Sequence, residues 1–93
     1  MKAVLIEVDV TAVETAEGVA ALREHIVPAI SAMPGFLSGT WLTGGAEGRG
    51  LSLTVWDRAE HAQAFADQFG IGASPTANAA VTRCELRDVA VTA

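Results

Sequence analysis

The chain has little of what several classes of protein require. Its 93 residues include one cysteine, Cys84, which excludes an intramolecular disulfide, an iron-sulfur cluster and a zinc-cysteine site. Six basic residues stand against 11 acidic ones, and this net charge of -5 argues against binding to a nucleic-acid backbone. No apolar run approaches the ~18 residues of a membrane span, and the start MKAVLIEVDVTA is too short and too acidic for a signal peptide. The sequence therefore predicts a cytoplasmic protein without nucleic-acid or membrane partners.

Apolar residues, by contrast, are abundant and make up 51% of the chain. A chain of this length builds one domain, here taken as residues 1-93, and on its own buries only about two-thirds of its extended surface. The excess of apolar residues suggests that a partner subunit covers part of it.

The first half of the sequence reads as a strand, a helix and a turn. Residues 2-10 alternate with the two-residue period of a strand. From Thr15 the apolar residues recur at helical spacing, as Val19, Leu22, Ile26, Ile30 and Met33. Pro28 predicts a kink in this helix rather than a break. Pro34 disfavours helical geometry at Met33, and Gly35 can take the positive φ that turns the chain toward a sheet.

The second half reads as two strands, a helix and a strand. Residues 36-43 and 50-56 flank a hairpin-like loop, GGAEG. In the second strand we expect Leu51, Leu53 and Val55 on one face and Trp56 on the other. Asp57 and Glu60 have the spacing of a capping box at a helix start. The predicted helix runs to about Phe69 and ends at Gly70. The segment VTRCELRDVAVT is predicted to form the last strand.

This order predicts an α+β, ferredoxin-like βαββαβ fold, a four-stranded antiparallel sheet with two helices on one face. The uncovered face is expected to hold Leu5, Glu7 and Trp56. Because a tryptophan buries ~150-250 Å² at roughly 25 cal/mol per Å², we expect this face to pack on a second copy and form a homodimer.

The segment MPGFLSGTWL, the glycine-rich hairpin and LSLTVWDRAEHAQAF resemble the dimeric α/β-barrel superfamily, and within it the antibiotic-biosynthesis-monooxygenase-like domains. The resemblance covers nearly the whole chain and implies a dimeric α/β barrel with a cleft between sheet and helices. The superfamily includes cofactor-free quinone-forming monooxygenases, heme-degrading enzymes and small-lactone isomerases. The heme-degrading members place an axial histidine in or after the second helix and an asparagine on strand one, whereas GIGASPTANAA has no histidine and strand one offers Glu7.

Several residues are candidates for a site, and each has a structural alternative. Glu7 would be a catalytic base, with a pKa raised by burial, or would form an ion pair with Arg83 or Arg87. His61 would be a second acid-base residue, or simply solvent-exposed at a helix start.

The predicted substrate-binding residues are Trp56, Trp41, Phe36 and Thr54. Trp56 would line a cleft beside Glu7 or anchor the core, and Trp41 would pack under the helices or touch a ligand. One cysteine and two separated histidines predict no metal and no cofactor, and Cys84 is expected to be a buried, inert thiol.

Two functions remain open. The first is a cofactor-independent monooxygenase or isomerase acting on a small aromatic or cyclic substrate, with Glu7, Trp56 and His61 in the site. The second is a non-catalytic dimer that binds a hydrophobic small molecule or serves in a stress response. The balance of polar and apolar residues in the cleft distinguishes the two.

Overall fold

The computed structural model describes residues 1-9, 15-43, 49-71 and 80-93. Its strands are β1 (Lys2–Asp9), β2 (Phe36–Leu42), β3 (Arg49–Trp56) and β4 (Ala80–Asp88), and its helices are α1 (Thr15–Ala21), α2 (Val27–Ser31) and α3 (Ala59–Phe69). A π-helical turn, Leu22–Ile26, joins α1 to α2. The strands pair antiparallel in the order β2-β3-β1-β4. This confirms the ferredoxin-like α+β fold, while the predicted loop GGAEG and residues 72-79 lie outside the described residues.

The helix that follows β1 continues past Pro28, as predicted. The backbone N–H of Val27 donates to the carbonyl of Leu22, five residues back, whereas an α-helix would bond four residues back. Pro28 lies in the first turn of α2, where its missing N–H is tolerated. The wider turn before the proline therefore lets α1, the π-helical turn and α2 run as one continuous segment.

The turn into β2 depends on Gly35, as the sequence predicts. Gly35 has a φ of 83°, in the left-handed region that glycine adopts without steric cost. Its carbonyl accepts a hydrogen bond of 2.9 Å from the backbone N–H of Asp57. This bond fastens the turn to the junction between β3 and α3.

The core lies between the sheet and the helices. Val4 and Ile6 of β1 face it, as predicted, together with Ile30 of α2 and Phe65 of α3. The predicted alternation of β3 is confirmed, but the face expected to be buried is wrong, because the pairing of β3 with β1 places Thr54 opposite Val4 and Ser52 opposite Ile6. Ser52, Thr54 and Trp56 are therefore buried under the helices.

The opposite face of the sheet carries no helix of the described residues. It exposes Leu42 and Leu53 together with the half-buried Leu5, Leu51 and Val55. The predicted apolar uncovered face is present, but Trp56 is not on it. Among the described residues no helix is long and apolar enough to cross a membrane, and a cytoplasmic location stays a prediction.

Candidate functional site

A groove of about 330 Å³ lies between the helical segment 15-31 and the end of β2. The helical side contributes Val19, Leu22, Arg23 and Val27. The other side is formed by Trp41 and Leu42 of β2 and by Thr43, which follows it. The lining is mainly apolar, with one guanidinium and one hydroxyl, and its volume is at the small end of the ~300-1,000 Å³ typical of ligand pockets.

Trp41 supplies the aromatic wall of this groove. It is half-buried on the helix-covered face of the sheet, where it pairs across to Ser52 of β3. Its ring lies over Gly39, because a Cβ built there would be 2.6 Å from Trp41 Cη2. The missing side chain at Gly39 therefore lets the indole lie flat along the strand. Trp41 packs against the core, as one of its two predicted roles requires, and it also lines the groove; its contact with a ligand stays a prediction.

Trp56 belongs to the core. Its side chain is fully buried, with its ring stacked on Phe65 at 4.9 Å and edge-on to Phe36 at 5.6 Å. The indole Nε1 donates to Thr54 Oγ1 at 2.9 Å, so its polar atom is satisfied without a ligand. Phe36, Thr54 and Trp56 therefore form one cluster, and it approaches the aromatic wall of the groove at Gly39, where a Cβ would contact both Trp41 and Phe36.

Glu7 lies on the face of the sheet opposite Trp56, so the predicted cleft shared by these two residues is wrong. In the antiparallel pairing of β1 with β3, Glu7 lies opposite Leu51. Its Oε1 accepts hydrogen bonds from Arg49 Nη1 at 2.9 Å and from Thr82 Oγ1 at 3.1 Å. The ion pair that the sequence favoured does exist, but it is made with Arg49 instead of Arg83 or Arg87.

His61 forms a pair with Asp57 at the start of α3. The two side chains meet at 2.6 Å, Nδ1 to Oδ1. This hydrogen bond, with the nearby charge of Arg58, lowers the pKa of the Asp57 carboxyl. The predicted capping box is wrong, because the N-cap is Arg58 without a side-chain cap and Asp57 bonds His61 instead.

His61 is half-buried rather than freely exposed, with 30% of its side chain accessible. The turn at Gly35 packs against it, since a Cβ at Gly35 would overlap His61 Nδ1 and Asp57 Oδ1. A carboxylate on Nδ1 fixes the ring and leaves Nε2 as the other site for a proton. The spacing of four residues between Asp57 and His61 was visible in the sequence, but the turn that covers the pair was not.

The chain is similar to a protein of known structure. No protein-family model and no curated protein matches the chain. Among solved structures it is similar to the heme-degrading protein Rv3592 from Mycobacterium tuberculosis, in a heme-free form with cleaved protein, with a TM-score of 0.65 and 26% identity. The similarity covers 100% of this chain and 96% of that one. Because that protein has the antibiotic-biosynthesis-monooxygenase-like fold, the likeness supports the same superfamily at the level of structure.

The donor set of the groove does not fit heme. A protein holds heme iron through an axial histidine, cysteine, methionine or tyrosine. The chain has no tyrosine, and its histidines are His25 and His61. Neither of these, nor Cys84 nor a methionine, lines the groove. Cys84 is half-buried on β4, and burial raises the pKa of its thiol, which agrees with the inert cysteine that the sequence predicts.

Proposed function

We propose that this chain is a homodimeric monooxygenase-like domain that binds a small planar aromatic molecule in the groove beside Trp41, without heme. The groove carries the proposal, because an indole wall opposite aliphatic side chains suits a flat apolar ligand. None of its lining side chains accepts a proton at neutral pH, since they are aliphatic, an indole, a hydroxyl and a guanidinium. The groove therefore favours binding over acid-base catalysis.

The proposed dimer forms through the uncovered face of the sheet. Four strands ~4.8 Å apart and about 25 Å long present a flat area of about 500 Å², so two copies would cover on the order of 1,000 Å², the lower limit for a stable interface. The charges on this face are already paired, Glu7 with Arg49 and Glu85 with Arg83 and Arg87. Paired charges cost less to bury than single ones.

Calorimetric titration with 2-naphthol tests the proposed binding. The parent chain should bind this flat aromatic saturably. Trp41→Leu should weaken binding by about tenfold or more. An aromatic pair contributes ~0.5-1.5 kcal/mol to the binding free energy beyond the contribution of its buried area, and leucine also buries less area against the ligand. His25→Gln is the matched control, because His25 lies on the π-helical turn but does not line the groove.

Titration with hemin completes this test. The expected result is no stoichiometric shift of the Soret band, because the groove lacks an axial ligand. No saturable binding of 2-naphthol, equal binding by the parent and Trp41→Leu, or a stoichiometric Soret shift would each overturn the proposal.

A second candidate function, cofactor-independent oxidation of a phenol, is favoured by the Asp57–His61 pair. A carboxylate-oriented imidazole is suited to take the phenolic proton. The reaction balances with O₂ as the sole oxidant: 1-naphthol and O₂ give 1,4-naphthoquinone and one water. Phe36 follows the turn at Gly35 and adjoins this end of the sheet, so it is the predicted substrate-binding residue that suits this candidate, whereas Trp56 and Thr54 are fully buried in the core.

Oxygen uptake with 1-naphthol, without added metal or flavin, tests this second function. His61→Gln should lower the rate by about 10²- to 10⁴-fold. Glu7→Gln is the informative comparison, since Glu7 as the base stays a prediction and a matching loss there would move the chemistry to the uncovered face. Uptake no faster than in a protein-free blank would eliminate the enzyme and leave the binding function.

A further inference from the structure

Arg23 is distinguished from the other basic residues by having no carboxylate partner among the described residues. The chain has six lysines and arginines against 11 acids, so partners are plentiful. The other five cations are paired: Lys2 with Asp88, Arg49 with Glu7, Arg58 with Asp57, and both Arg83 and Arg87 with Glu85.

Arg23 also lies at the groove. It projects from the π-helical turn, where the wider backbone follows from the bond between Val27 and Leu22. Such turns are frequent at functional sites. Thr43 adds a hydroxyl to the same lining. A guanidinium offers donors in a fork that matches the two oxygens of a carboxylate.

From this combination we infer that the ligand of the groove is an aromatic carboxylate, its ring against Trp41 and its carboxylate paired with Arg23. This inference deepens the proposed binding function and rests on it. An acidic protein repels a free anion at long range, so a cation that has no carboxylate partner among the described residues provides local attraction in this groove. A neutral aromatic of the same shape would leave the guanidinium without a partner.

Two probes of nearly equal shape separate this inference from the proposed function. 2-Naphthoate carries the carboxylate and 2-naphthamide replaces it with a neutral group, and both are titrated calorimetrically against the folded parent chain. We expect 2-naphthoate to bind about tenfold more tightly, the size of effect that a hydrogen bond to a charged group produces. Arg23→Gln should remove this preference and leave the Kd of 2-naphthamide unchanged. Added salt should weaken the carboxylate probe alone.

Arg87→Gln is the matched control, because it removes the same charge from a residue that does not line the groove, and sedimentation first verifies that it keeps the oligomeric state of the parent chain. It should leave both Kd values unchanged. Equal affinity of the parent for the two probes would overturn the inference and leave the proposed function standing. Equal weakening by Arg23→Gln and Arg87→Gln would also overturn it, since the effect would then come from net charge. Binding of neither probe would overturn the inference and the proposed function together.

Discussion

Gly35 links three parts of the molecule at the scale of a single residue. It provides the positive φ of the turn, its carbonyl holds the N–H of Asp57, and its lack of a side chain leaves room for the Asp57–His61 pair. The left-handed conformation alone costs an L-residue about 1-2 kcal/mol. The turn after the first helix and the candidate acid-base pair therefore depend on the same glycine.

Gly35→Ala should lower the free energy of unfolding by about 2 kcal/mol, from backbone strain and overlap with the pair. Chemical denaturation followed by circular dichroism measures this. Gly50→Ala is the control, because the nearest atom to a Cβ at Gly50 is 3.7 Å away, and it should change stability far less. Adding His61→Ala to Gly35→Ala should recover part of the loss. Equal free energies of unfolding for the two alanine variants would contradict the predicted backbone strain and overlap at Gly35.

Three carboxyl groups with lowered pKa values contribute to the stability of the folded chain in acid. The pKa of Asp57 is lowered by its hydrogen bond with His61, and that of Asp88 by its hydrogen bond with Lys2. The pKa of Glu85 is lowered chiefly by its hydrogen bond with Arg87. A carboxyl whose pKa is lowered on folding stabilises the folded state above its unfolded pKa, and this contribution disappears as the pH falls through the folded pKa. With unfolded values of about 3.9 for Asp and 4.3 for Glu, the loss begins near pH 4.

The denaturation midpoint should therefore be nearly level from pH 7 to 5 with respect to these groups and fall below about pH 4. Urea titrations at pH 6, 4 and 3 measure it. Asp88→Asn should start from a lower midpoint and fall less steeply, because it removes one of the three contributions. An acid limb unchanged by this substitution would contradict the assignment of Asp88.

At the scale of the element, β3 shows where sequence reasoning fails. Local signals correctly predict its extent, the turn at Gly35 and the end of α3 at Gly70, because each depends on neighbouring residues. The choice of its buried face does not follow from alternation, since Leu51, Leu53 and Val55 are all aliphatic and yet the face with the hydroxyls of Ser52 and Thr54 is the buried one. Packing of Trp56 against Phe65 and Phe36 decides it, and those contacts come from distant elements.

The groove was missed for a similar reason. In the sequence, Arg23 lies off the apolar stripe of the helix, and Trp41 is predicted either to pack under the helices or to touch a ligand. The two approach only after β2 packs beside the π-helical turn, and no spacing in the sequence shows that juxtaposition. The ion pair at Glu7 was anticipated in kind, but its partner Arg49 comes from strand register.

Trp56→Ala should lower the free energy of unfolding by about 3-5 kcal/mol, because it leaves a large cavity in the core. Leu53→Ala should cost far less at a dilution that keeps the chain monomeric, since Leu53 is 44% exposed in the single chain. Both are compared with the parent by denaturation under conditions in which sedimentation shows the same oligomeric state. The reverse order would restore the faces that alternation first suggested.

At the scale of the whole molecule, the sheet has two different surfaces. One carries the helices and the groove, and the other exposes leucines beside paired charges. Contiguous exposed apolar surface is a mark of an interface. The proposed second copy would bury it and leave a groove free on each outer side.

Sedimentation equilibrium at tens of micromolar should give twice the chain mass of 9.6 kDa. Leu53→Glu should give the monomer, because a carboxylate without a partner is costly to bury. Glu60→Gln, at an exposed position on α3, should remain a dimer. A parent chain that sediments as a monomer would contradict the proposed dimer.

We place the ligand site in the groove beside Trp41. Amide chemical-shift changes, mapped on a ¹⁵N-labelled chain titrated with 2-naphthoate, test this placement. We expect saturable chemical-shift changes centred on Leu22, Val27 and Thr43 and on the indole N–H of Trp41. Saturable changes centred instead on the Asp57–His61 pair or on the uncovered sheet face, or no changes at millimolar probe, would contradict it.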